Sequence, residues 1–327
     1  MLSARVSKVR RGRTAECEVR YQRTLRHLRQ CARRYDWPLK AARWAACLTL
    51  LIAYGAASAA IPQGKAELTL DIDGTPLTLY TYKPEQYSNP GVLLTLHGVG
   101  RNAEGYRDHA IPLAERLGLL VVAPYFDRER YPTWRYQHGG IARRASGAYT
   151  PEPEARHTGR IFTSIVDAVR RLESAPDAPY YLLGHSGGAQ SLSRVAGFMP
   201  TGAKRLVLAN AGSYLWPAAE VRFPDGYAGI LDGAQSEAAL RRYLAQPITL
   251  VLGTADVKQD ADLTQRESAL AQGPNRYERG HNFFRAAQSL AKARGWAFNW
   301  KLIEVPGVGH SARRMFGAEA MIQAFGD

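Results

Sequence analysis

The chain has 327 residues, 46% of them hydrophobic and 22% charged, which supplies one large core and excludes a fibrous or disordered protein. Its formal net charge of +14 would suit a nucleic-acid or anionic-membrane partner, but residues 1–43 alone hold 13 Lys/Arg against 3 Asp/Glu, leaving only +4 for the remainder. All three cysteines, Cys17, Cys31 and Cys47, precede residue 60 at spacings that match no zinc or redox pattern, which excludes thiol chemistry and an internal disulfide from everything after them.

Residues 1–43 read as a basic leader. Residues 44–60 (WAACLTLLIAYGAASAA) are uncharged, follow Lys40 and Arg43, and offer Ala57-Ser58-Ala59 as a cleavage site, the pattern of a secretory signal. The run is shorter than the ~20 residues of a spanning helix, so an uncleaved signal anchor is the second reading and a buried core helix the third. A start of translation near Leu39 would account for so long a leader. Arg33-Arg34 is followed by residues that fit a twin-arginine signal poorly, and Cys47 stands before its apolar run instead of after it. The expectation is a secreted or periplasmic protein with one catalytic domain over 61–327.

Glu67 to Asp71 and Leu77 to Tyr82 alternate apolar and polar residues around Asp73-Gly74, which predicts a leading antiparallel hairpin. Short, wholly apolar runs follow at Val92–Leu96, Leu119–Ala123, Tyr180–Leu183, Leu206–Ala209, Ile248–Leu252 and Lys301–Val305. Such runs predict strands buried on both faces of a parallel sheet. Helix-length stretches separate them: Ala103 to Leu117, and Thr158 to Glu173 with Ile161, Ile165, Val169 and Leu172 at helical spacing. The alternation predicts an α/β fold, an open and mostly parallel sheet with helices on both faces.

In Gly184-His185-Ser186-Gly187-Gly188 a serine is flanked by glycines at plus and minus two. The pentapeptide follows the run Tyr180–Leu183 and opens a helical stretch from Ala189 to Phe198, the strand-turn-helix of a nucleophile elbow. Glycines on either side let strand and helix approach without Cβ clashes, and the hydroxyl sits at a helix N-terminus whose amides favour negative charge. A serine hydroxyl needs a base, itself oriented by an acid, in chain order Ser, Asp/Glu, His for this arrangement. Gly253-Thr254-Ala255-Asp256 puts a carboxylate just after one strand, and Pro306-Gly307-Val308-Gly309-His310 puts an imidazole after the last. Asp260, Asp262 and Asp232 are the alternative acids. His109, His138, His157 and His281 have no strand immediately before them and read as surface or structural histidines.

Acyl transfer also needs amides aimed at the developing oxyanion. Gly187 supplies one, and the loop His97-Gly98-Val99-Gly100 supplies the other from Val99, with Gly100 as the alternative. His97 is expected to buttress that loop through its ring nitrogens, and His185 to pack beneath the elbow. Aromatic residues follow the strand ends, and Tyr125, Trp134, Tyr214 and Trp216 are the expected walls of a substrate pocket, simple loop packing being the other reading. The stretch 214–246 is long enough to act as a cap.

From about Gly91 to its end the chain resembles the α/β-hydrolase superfamily, and LHGVGRNAEGY followed by GHSGGA is similar to the esterase/polyhydroxybutyrate-depolymerase branch, which also includes feruloyl-type esterases. The resemblance implies hydrolysis of carboxylic esters through an acyl-serine, with the nucleophile at Ser186 and the oxyanion amide at Val99. No separate polymer-binding domain is expected, and the body lacks the cysteines that secreted depolymerases often use. A small-molecule or oligomeric ester is therefore the expected substrate. The same machinery would serve an acyltransferase or a peptidase, and a non-catalytic binding protein of this fold is the alternative of another class. No metal site, phosphate loop or dinucleotide fingerprint is present. No cofactor and no nucleic-acid partner are expected, and membrane contact only through an uncleaved anchor.

Overall fold

The computed structural model of this chain describes residues 60–88 and 90–326; the leader and, but for Ala60, the signal segment lie outside them. Gly64–Ile72 (β1) and Thr75–Lys83 (β2) pair antiparallel through a turn at Asp73 and Gly74, both at positive φ. After them come strands Val92–Leu96 (β3), Leu120–Pro124 (β4), Ala142–Ala145 (β5), Ala148–Pro151 (β6), Tyr180–His185 (β7), Arg205–Ala209 (β8), Ile248–Gly253 (β9) and Lys301–Val305 (β10). The helices between and after them are Ala103–His109 (α1), Ile111–Leu117 (α2), Thr158–Leu172 (α3), Gly187–Phe198 (α4), Gly233–Ala245 (α5), Glu267–Leu270 (α6), Arg276–Arg294 (α7), Ala312–Phe316 (α8) and Glu319–Gln323 (α9).

One sheet runs in the order β1-β2-β4-β3-β7-β8-β9-β10, with β1, β2 and β4 joined antiparallel and every later pairing parallel. Successive side chains on a strand point to opposite faces, and the core shows it. Leu94, Leu182, Leu208 and Leu250 enter one apolar cluster with Phe162, Leu192, Tyr243 and Phe283, whereas Leu93, Leu183, Val207 and Val251 enter another with Leu113, Met315 and Phe316. Helices therefore cover both faces, and the parallel strands leave all their carboxyl ends along one edge.

Four local features differ from the sequence expectation, each for a physical reason. The single helix expected over Ala103 to Leu117 is two, α1 and α2, because Pro112 in the first turn of α2 has no N–H to continue the ladder. On α3 the fully buried stripe is Phe162, Ile165, Val166 and Val169, with Ile161 and Leu172 at its margin. Strand β10 is half-exposed because it is the sheet's edge, with β9 its sole neighbour there. The small sheet β5-β6 escapes any apolar pattern, since its residues are mostly exposed; only the positive-φ pair Ser146-Gly147 at its tip marks the turn.

The stretch 214–246 also divides. Its second half is α5, begun by a capping box in which Asp232 accepts from the Gln235 amide, and packed on the sheet through Leu240 and Tyr243. Its first half is irregular but anchored: Asp225, with no exposed side-chain surface, accepts from Arg194 of α4 at 2.5 Å, from Arg266 at 2.8 and 3.0 Å and from Ser268 at 2.6 Å. Burial alone would raise the Asp225 carboxyl, but Arg194 and Arg266 hold it well below the usual carboxylate range. Burial likewise draws the Arg194 guanidinium down to about 10. Because breaking a buried pair strands the other charge, Asp225→Asn is expected to lower the unfolding free energy by about 3–5 kcal/mol at neutral pH. A carboxylate with a depressed pKa stabilises above its unfolded value, so the difference between the two proteins in urea melts should shrink as pH falls below about 4.

Candidate active site

Ser186 ends β7 and begins α4 with φ 56° and ψ −117°, a conformation that L residues hold only under constraint. The constraint is the close approach of strand and helix. A Cβ on Gly184 would lie 2.5 Å from the Gly188 carbonyl carbon, and one on Gly188 would lie 2.3 Å from Leu96 O, so neither position admits another residue. The Ser186 amide donates to Ala209 O at 3.0 Å, which fastens the turn to β8. Its side chain is 6% exposed.

His310, on the loop after β10, places Nε2 3.0 Å from Ser186 Oγ and Nδ1 2.7 Å from Asp256 Oδ2. The loops that carry the two partners are stitched together by a backbone bond and by the Asn210 side chain. The Ala255 amide donates to Val308 O at 3.0 Å, the Gly253 amide to Asn210 Oδ1 at 2.9 Å, and Asn210 Nδ2 reaches Gly309 O. Asp256 is 2% exposed, and its second oxygen lies 3.6 Å from Arg276 Nη1.

Among the described residues none of the other candidate acids hydrogen-bonds to His310. Asp260 takes both Arg276 amino groups at 2.7 Å, and that pairing lowers its carboxyl. Asp262 offers its amide to Asp260, and Asp232 caps α5. No sequence signal pointed to Arg276, which lies 20 residues beyond Asp256 and begins another helix.

On the other side of Ser186 lies the loop after β3. A Cβ on Gly187 would stand 3.1 Å from Val99 N, and one on Gly98 would stand 3.5 Å from Ser186 Cβ, whereas nothing lies within 4 Å of one on Gly100. Gly98 and Val99 thus border the elbow. His97 has both ring nitrogens engaged, Nδ1–H donating to Gly98 O at 3.0 Å and Nε2 accepting the Phe126 amide at 3.1 Å. Burial pulls its pKa down to about 4, which keeps the ring neutral.

His185 is fully enclosed beneath the site. Its ring lies 4.7 Å from that of His310 and its Nδ1 is 3.0 Å from the Tyr106 hydroxyl. Burial, with the neighbouring His310, depresses it well below the ordinary histidine value. A proton that arrives on His310 therefore meets no second positive imidazole.

The four aromatic residues expected to wall a pocket do not gather. Tyr214 has no exposed surface and stacks on Phe283 at 4.4 Å, so the pocket reading is corrected to core packing: the chain turns inward after β8 and the ring is enclosed there. Trp216 is half-buried beside the same Phe283. Tyr125, 36% exposed, lies by β2, its amide donating to Thr78 O. Trp134 lines a separate cavity of about 310 Å³ with Tyr131, Ile72, Ile161, Arg135 and Arg156. That cavity stands on the carboxyl edge near β2, three strands from β7 or roughly 14 Å at the usual strand spacing.

The arrangement sets an imidazole, itself held by a carboxylate, against a serine hydroxyl, with the Val99 amide beside the elbow. No protein-family model matches the chain, and no curated protein matches it. Solved structures do. It is 34% identical to LpqC, the poly(3-hydroxybutyrate) depolymerase from Bordetella parapertussis, over 81% of this chain and 92% of that one, with a TM-score of 0.72. It is 30% identical to poly(aspartic acid) hydrolase-1 from Sphingomonas sp. KT-1 over 78% and 96%, also with a TM-score of 0.72.

Proposed function

The chain belongs to the α/β-hydrolase superfamily, in its polyhydroxybutyrate-depolymerase-like branch, and from that membership we propose that this hydrolase cleaves carboxylic esters through an acyl-serine intermediate. The observation that carries the reading is the chain of contacts Asp256–His310–Ser186 at 2.7 and 3.0 Å. Asp256 keeps the His310 proton on Nδ1, leaving Nε2 free to accept from the Ser186 hydroxyl. Ser186 Oγ attacks the ester carbonyl, and the amides of Val99 and Gly187 receive the charge that develops on its oxygen. His310 then returns the proton to the leaving alcohol, and water, activated by the same imidazole, releases the acid.

The identifying test is a fluorophosphonate probe followed by peptide mapping. Modification of Ser186, abolished in Ser186→Ala, is the expected result; labelling at any other residue would remove the reading. Esters and amides of one acyl group then separate an esterase from a peptidase, and added alcohol acceptors reveal transfer.

An oligomeric substrate is favoured by the similarity to two enzymes named for polymers and by the cavity at Trp134, placed where only the distal part of a long molecule would reach. Trp134→Ala is expected to lower kcat/KM for hydroxybutyrate oligomers about tenfold, the worth of one aromatic contact, while turnover of p-nitrophenyl acetate stays unchanged. Equal losses on both substrates would make Trp134 a folding residue. Export is proposed on the signal-like composition of residues 44–60; among the described residues no helix is long and apolar enough to cross a membrane.

A further inference from the structure

Arg101 follows the Val99 loop and adopts a left-handed backbone, φ 62°, without being glycine. Its side chain turns inward and is 7% exposed. Nη1 donates to Phe126 O at 3.0 Å and Nη2 to Tyr131 O at 2.9 Å, and the guanidinium lies 4.4 Å over the Tyr136 ring. Nε has no partner. Arg107, Arg194 and Arg276 are also buried, and each faces a carboxylate, whereas the buried Arg205 and Arg279 donate, among the described residues, only to backbone carbonyls. Arg101 faces no carboxylate within ion-pair distance among the described residues. A strained backbone and a desolvated cation without a counter-charge are both unfavourable, so the surroundings must hold the residue there.

What that position secures is one peptide plane. The Arg101 amide donates to Gly98 O at 3.1 Å, the same oxygen that His97 Nδ1–H reaches at 3.0 Å. A trans peptide points its N–H opposite its C=O. Two donors on Gly98 O therefore aim the Val99 amide away from them, toward the Gly187 side on which Val99 N already borders the elbow. The guanidinium supplies the external anchor. It bolts this turn to the segment from Phe126 to Tyr136, which grips the loop at two further points, through the Phe126 amide on His97 Nε2 and through the Tyr136 hydroxyl on His97 O at 2.6 Å. Lysine has the charge but not two divergent donors on one plane.

We propose that Arg101 is the positioning residue of the oxyanion amide: its fork across the Phe126 and Tyr131 carbonyls fixes the turn that directs the Val99 N–H, so that it acts on the transition state and not on substrate binding. The proposal rests on the acyl-serine reading above.

The test compares the full-length enzyme with Arg101→Lys and Arg101→Gly, the latter also relieving the positive φ. Concentrations are set by active-site titration with a fluorophosphonate, so that only folded molecules are counted. Both variants are expected to lose about ten- to hundredfold in kcat with KM within twofold, somewhat less than the removal of one oxyanion donor costs. The inhibition constant of a boronic acid that forms a tetrahedral adduct on Ser186 should rise by the same factor. Ethylguanidinium added to Arg101→Gly at constant ionic strength should restore part of kcat, and ethylammonium should not.

A fully active Arg101→Lys would assign the effect to charge alone and overturn the fork. Normal kcat per titrated site, with only a lower melting temperature, would reduce Arg101 to a structural residue. A rise in KM with unchanged boronic-acid affinity would place it in substrate binding. An inactive Ser186→Ala beside a normal Arg101→Gly removes this proposal alone, whereas an active Ser186→Ala removes the reading on which it rests.

Discussion

Ser186→Ala is expected to lower kcat by about a million-fold on any ester the enzyme accepts, with KM nearly unchanged and the fold intact. The size follows from the role. In the proposed mechanism no acyl-enzyme forms without Oγ, and the residual rate is what the oxyanion amides and binding give to direct attack by water. The substitution removes one oxygen from a turn held by backbone bonds, the Ser186 amide on Ala209 O and the Gln190 amide on Ser186 O, and alanine carries no bulk that the serine lacked. Kinetics with a p-nitrophenyl ester, beside a melting curve, check both halves. Activity within tenfold of the parent would mean that another group performs the attack.

The second large effect falls on Asp256. Asp256→Asn keeps the shape of the side chain but presents an amide N–H to His310 Nδ1, which drives the imidazole proton to Nε2 and removes the acceptor that Ser186 needs. A loss of about 10⁴ in kcat is expected, equivalent to about 5.5 kcal/mol of transition-state stabilisation. The neighbouring acids offer a sharp control. Asp260→Asn frees Arg276, so it should disturb the loop and cost far less, because Asp260 points at the guanidinium and not at the imidazole. A comparable loss in both variants would show that the loop, and not the Asp256 carboxylate, is what His310 requires.

The parts of the site that could be read in the sequence are those tied to strand ends. An apolar run followed by glycines announces where a parallel strand stops, and Ser186, Asp256 and His310 each stand just past such a stop. The leading hairpin and the positions of the buried strands along the chain were legible for the same reason, since period-two alternation and unbroken apolar runs are local signals; their order in the sheet was not. Side-chain direction in loops is not local. Tyr214 and Trp134 both follow strands and both are aromatic, yet one is stacked in the core and the other faces a cavity. Nothing within ten residues of either distinguishes them.

Groups that act across the fold were equally out of reach. Arg276 meets Asp256 and Asp260 only because the loop after β9 folds back on α7, and Tyr106 meets His185 across 79 positions of sequence. The Asp225 network joins three separate segments. Each needs the tertiary structure before its partners exist. Pro112, by contrast, is a local signal that the expectation of one helix over 103–117 passed over, and the proline's missing donor is enough to explain the division.

The anchoring of the segment before α5 bears on how the enzyme would meet an aggregated or insoluble substrate. Asp225 and Arg194, with no exposed side-chain surface, join that segment to the helix that begins at the nucleophile. Swinging the segment aside would mean parting two desolvated charges, a cost of several kcal/mol. Taken as the cap that its length predicts, a segment fastened in this way would serve as a fixed jamb, not a door. Turnover would then rise smoothly as micelles or particles form, in proportion to the ester surface on offer, without the abrupt interfacial activation of enzymes whose entrance must first be pulled open.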